Sequence, residues 1–184
     1  MQTLQDAIRA LERRTGFEPG SVRAAANRLV EDGILPRGTP GRHTELTVKE
    51  FIDLLIARAA SPTHRQGPET VKLFDELVRD GIDVSVMPPD IRPPRRTARA
   101  YLQDLALDAL DDDPQRQRTV SQLTLEFVES WPELAIHLDG KTIGRFREPG
   151  ALASHWQTPG HRRSTTIAGA AFVDAVRDVF AGAK

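Results

Sequence analysis

The sequence predicts an α+β fold, and three observations predict it. Apolar residues at helical spacing dominate the first 110 positions, strict apolar–polar alternation takes over after position 119, and a last amphipathic stretch closes the chain. Hydrophobic residues make up 39% and charged residues 28% of the 184 positions, which is ordinary globular composition. Changes of pattern divide the chain into residues 1–67, 68–118 and 119–184: a winged helix-turn-helix, a helical connector with a proline-rich linker, and a β-hairpin sheet with a terminal helix.

The elements follow in order. Leu4, Ala7, Ile8 and Leu11 make one face of a first helix that ends near Thr15-Gly16, where glycine suits a C-terminal cap. Phe17 to Ser21 is a turn into a second helix over Gly20 to Asp32, with Val22, Ala25, Ala26 and Leu29 inward. Gly33 ends it, Ile34-Leu35-Pro36 leaves extended, and Arg37 to Thr44 reads as a tight basic loop with two glycines and a proline. Thr47-Val48-Lys49-Glu50 is a capping box for a third helix carrying Phe51, Ile52, Leu54, Leu55 and Ile56.

After a polar break at residues 61–68, Val71, Phe74, Leu77 and Val78 predict a helix from Glu69 to Asp80, stopped by Gly81. Val84 and Val86 suggest a short strand, and residues 88–96 an extended semi-rigid linker. A helix from Thr97 to Leu110 runs into the acidic turn Asp111-Asp112-Asp113. Leu123, Leu125 and Phe127 alternate with polar neighbours, as do Leu134, Ile136 and Leu138. Asp139-Gly140 is a two-residue hairpin signal with Ile143 to Phe146 as the returning strand. A strand at Ser164 to Ile167 and a helix from Ala170 to Ala181 complete the series.

Several function classes lack their signatures. Without cysteine there are no disulfides or thiolate metal sites. There is no phosphate loop, nucleophile elbow or paired-histidine zinc motif, so no enzyme activity, metal or cofactor is expected. His155 and His161 with Asp174 match no metal-ligand spacing. Glu126, Glu129 and Glu133 read as an exposed face rather than an acid–base pair. No apolar run approaches the ~20 residues of a membrane span, and the acid at Asp6 argues against a secretory leader, so the expected location is the cytoplasm, at the nucleoid.

The net charge of −1, with nine basic and eight acidic side chains in residues 1–60, means that any DNA affinity must come from local placement. On the second helix Ser21, Arg23, Ala24, Asn27 and Arg28 fall opposite the apolar face. Arginine can pair with guanine and asparagine with adenine, while small residues let the helix approach the groove. Arg37, Thr39, Arg42 and His43 lie in the basic loop, placed to reach backbone or minor groove. Arg92, Arg95, Arg96 and Arg99 read as a solvated linker or a phosphate arm; Arg162 and Arg163 as a second phosphate contact or an edge-strand device.

Thr15-Gly16-Phe17, Val22-Arg23, the run Leu29 to Gly38 and Gly41-Arg42 resemble the helix-turn-helix and wing of MerR-type proteins. They are also similar to short proteins of alphaproteobacterial prophage and gene-transfer-agent type. The resemblance covers about a third of the chain, and Pro62 and Pro68 interrupt the long coiled-coil helix that follows in MerR activators. It implies a protein that binds double-stranded DNA; the expected role is a transcriptional regulator of phage or mobile-element type, with residues 119–184 expected to join two copies as a homodimer. Two alternatives remain open: a DNA-packaging or recombination accessory factor, and a protein–protein adaptor built on a winged helix.

Overall fold

The computed structural model describes residues 2–37, 45–151 and 160–182. The expected helix starts are set by hydroxyl caps. Thr3 and Asp6 form a capping box for α1 (Leu4–Thr15), and Thr47 and Glu50 form one for α3 (Val48–Ala59). Between them lies α2 (Ser21–Glu31), entered through Gly20 at φ 83°. Residues 64–66 make a 3-10 turn that runs into α4 (Gly67–Phe74). Thr97 caps α5 (Ala98–Leu110), and Asp113 caps α6 (Pro114–Ser121).

A five-stranded antiparallel sheet follows: β1 (Val78–Arg79), β2 (Leu123–Val128), β3 (Glu133–Leu138), β4 (Lys141–Arg147) and β5 (Ser164–Ala168), in the order β1-β4-β3-β2-β5. Asp139 and Gly140 take φ of 51° and 74°, the positive values a tight hairpin needs between β3 and β4. The register shifts at Ile136/His137, so Ile143 has no partner on β3 and is left exposed. The chain then closes with α7 (Gly169–Phe180). No side chain fits at Gly169: a Cβ there would meet the Val120 carbonyl oxygen and lie 2.6 Å from that of Leu123.

One face of the sheet carries the apolar phase of the strands, and helices cover it. Phe127 stacks on Phe74 of α4 with ring centres 6.1 Å apart, and Phe146 tilts against Tyr101 of α5 at 5.1 Å. The core does not divide at residue 67 or 118: one buried apolar cluster runs from Ala7 to Val179. α1 lies against α7, and α3 against α5; Phe51 meets the Phe180 ring edge-on at 5.8 Å.

The structure corrects four expectations. The helix predicted over Glu69–Asp80 ends at Phe74; Val78 and Arg79 instead pair with Arg147 and Phe146 of β4. Leu77 is buried either way, so helical spacing does not reveal the change; the backbone of Val78 and Arg79 finds its partners on β4 rather than within a helix. Val84 and Val86 lie in a 3-10 turn capped by Asp83, not in a strand. The linker at 88–96 holds a second 3-10 turn at Pro89–Ile91 and is tied down by its arginines, Arg92 to the Ser85 and Met87 carbonyls and Arg95 to Glu76. Finally, the acidic turn opens a helix: Pro114 sits in the first turn of α6, which shows little apolar periodicity because only Val120 is buried.

Candidate nucleic-acid interface

Val22, Ala25, Ala26 and Leu29 are fully buried, and the two alanines let α2 sit close to its neighbours. Gly33, at φ 73°, turns the chain out of the helix. The Ile34 amide donates to the Leu29 carbonyl at 2.9 Å and the Gly33 amide to that of Val30 at 3.2 Å. At the other end the Gly20 amide donates to the Glu12 carboxylate at 2.8 Å, which places an acid beside the start of α2.

The residues singled out on α2 fall into two groups. Arg23 and Asn27 are exposed one helical turn apart, with no side-chain hydrogen bond or ion pair among the described residues, and Ala24 is half-buried beside them. Ser21 and Arg28 are engaged internally. The Ser21 hydroxyl donates to the Glu18 carbonyl at 2.6 Å and accepts from Arg58 Nε at 2.9 Å, while the Arg58 guanidinium lies 4.4 Å above the Phe17 ring. Arg28 reaches Glu31 and Asp32, each at 3.2 Å. Arg37 is exposed beyond the helix exit; Thr39, Arg42 and His43 lie outside the described residues, as does His155.

Other arginines raised by the sequence are structural. Arg99 makes a two-point contact with the fully buried Asp53 at 2.6 and 2.7 Å and reaches Asp75 at 3.2 Å, linking α5 to α3 and to the end of α4. Burial opposes the Arg99 charge, but hydrogen bonding and charge attraction from Asp53 and Asp75 together outweigh that and hold its pKa above the ordinary value. Arg96 pairs with Asp104 and lies over the Tyr101 ring.

A second polar assembly, on the sheet face away from the helices, is absent from the sequence reading. Arg162 grips Glu126 through two contacts at 2.9 and 3.0 Å, approaches Glu133 at 3.4 Å, and lies 5.5 Å from the Trp131 ring centre. Arg145 holds Glu133 at 2.8 Å, and His137 bridges Glu126 and Thr142. Glu133 is only 1% exposed, so the expectation of an exposed acidic face is corrected, and Glu129 is likewise largely covered and paired with Arg163. Burial pushes the Glu126 pKa up; hydrogen bonds from Ser164, Arg162 and His137 overcome this and hold it below the usual range. The outward strand phase of Glu126, Glu133 and His137 was legible, but the return of residues 160–163 across that face was not. With each carboxylate matched by an arginine, the assembly braces the entry to β5.

No helix among the described residues is long and apolar enough to cross a membrane. No group of three or more histidines or acids poised to hold a metal ion occurs among the described residues. No protein-family model, curated protein or solved structure matches the chain.

Proposed function

We propose that the chain binds double-stranded DNA by laying the outward side of α2 in a major groove. The observation that supports this most is the pair Arg23 and Asn27: both are exposed, neither is committed to an internal partner among the described residues, and small Ala24 lies beside them, with Glu31 one turn beyond Asn27. These are the side-chain types that read guanine and adenine edges. Arg37 stands where the chain leaves the helix, at the start of the loop proposed as a wing, whose Thr39, Arg42 and His43 would reach the backbone. Ser21 and Arg28 enter the reading differently: Ser21 fixes α2 against α3, and Arg28 must exchange Glu31 and Asp32 for a phosphate.

In this reading the protein is a nucleoid-associated regulator of phage or mobile-element type. A second copy joins through the C-terminal segment and sets half-site spacing. The uncharged edge strand β5 supports that contact, with Thr166 and Ala168 exposed. A ring-shaped oligomer by mass measurement would favour the packaging role instead.

The test is fluorescence anisotropy with a random-sequence 30-base-pair duplex, titrated with salt. The wild-type affinity falls steeply from 50 to 200 mM salt, as release of counterions from several phosphates requires. On a duplex carrying the site selected by the protein from a random pool, Arg23→Ala/Asn27→Ala weakens binding about tenfold or more, each base contact being worth roughly 1–3 kcal/mol. Salt-independent affinity, or wild-type affinity in the double variant, refutes the interface; specific binding of a protein partner in its place would favour the adaptor.

A further inference from the structure

We infer that α4 and the turn before it form a second phosphate-contacting element alongside α2, through Arg65 and Lys72; this rests on the DNA-binding reading above. Gly67 is buried against both α2 and α3. A Cβ on it would lie 4.0 Å from Leu29 Cδ2 and 3.3 Å from Ala57 Cβ. At its other end α4 borders the exit of α2, where Val71 and Lys72 share a cleft with Gly33 and Ile34. α4 therefore starts beside the last turn of α2 and continues past its exit.

Gly67, Pro68, Thr70, Val71 and Phe74 take the inward side of α4, so Arg65, Glu69 and Lys72 are left outward. Neither Arg65 nor Lys72 has a side-chain hydrogen bond or ion pair among the described residues, unlike the arginines of residues 92–99. They lie seven positions apart, about 10 Å along a helix. A helix in a major groove lies between two phosphate strands, so cations beside it face the backbone and set position rather than sequence. Glu69 stands between the two cations with no ion pair among the described residues, whereas Asp75 and Glu76, which share the Lys72 cleft, are matched by Arg99 and Arg95.

The experiment measures the salt slope of binding to the random-sequence duplex. Arg65→Ala/Lys72→Ala makes the slope shallower by about two, at roughly 0.9 per phosphate released. Glu69→Lys tightens binding and steepens the slope by about one, a gain that misfolding cannot produce. Wild-type slopes in both variants, with Arg23→Ala/Asn27→Ala still impaired, overturn this inference alone. Absence of any duplex binding by the wild-type chain overturns it together with the DNA-binding reading.

Discussion

Asp53 is a carboxylate with no solvent exposure, held in the core by the Arg99 guanidinium and, more weakly, by Lys49 at 3.5 Å. A buried charge that loses its partner keeps its desolvation cost, so Arg99→Ala is expected to destabilise the fold by about 3 kcal/mol, read by urea unfolding. A change under about 0.5 kcal/mol, the level of a surface substitution, would show that the pair is not a clamp. Another long-range ionic contact joins α1 to α7: Arg14 grips Asp178 at 2.7 and 3.0 Å, and Arg13 adds a further contact. Hydrogen bonding from Arg14 holds the Asp178 carboxyl down to about 2. Because the folded value lies below the unfolded one of about 3.9, the stabilisation is whole above pH ~4 and is lost as the pH falls toward 2. Asp178→Asn should therefore lower the melting temperature at pH 7, with the gap to wild type closing in acid; a gap constant with pH would rule out this linkage.

At the scale of elements, local chemistry was legible where it acted locally. Thr47 marks the start of α3 and Asp139-Gly140 the hairpin, as read from the sequence, and Thr3 and Thr97 cap α1 and α5 by the same local chemistry. What the sequence concealed depends on distant partners. Val78 joins a sheet whose neighbouring strand lies almost seventy residues away, and Glu133 is buried because Arg145 and Arg162 reach it from other strands or loops. Of the interface, the polar side of α2 was legible, but the internal commitments of Ser21 and Arg28 were not, since they involve Arg58 and a geometry set by the Gly33 exit. The first three helices also lean on the rest of the chain: α1 on α7, α3 on α5, and Phe51 on Phe180. Residues 1–67 alone should consequently lose cooperative folding, seen as a broad thermal transition by circular dichroism. A sharp transition would establish that this segment folds without the remainder.

Across the whole molecule, one apolar core ties the proposed reading helix rigidly to the sheet. Among the described residues α2 has its main contacts with α1, α3 and α4, which in turn lean on α7, α5 and the inner sheet face. In the proposed docking on a duplex, the sheet and β5 would move as one body with α2, and a second copy joined at the sheet would hold its own α2 at a fixed spacing. The balanced charge, −1 over 184 residues, leaves no general attraction for nucleic acid. On the proposed reading, affinity must arise from the few cations not already engaged within the fold. Titration of the isotope-labelled protein with a short duplex, followed by backbone amide and Arg and Asn side-chain resonances, tests this most directly. The predicted result is a set of salt-sensitive shifts concentrated on Arg23, Asn27 and their neighbours along α2, with the sheet face around Glu133 unmoved. Shifts confined to the sheet, or none at any duplex concentration, would contradict it.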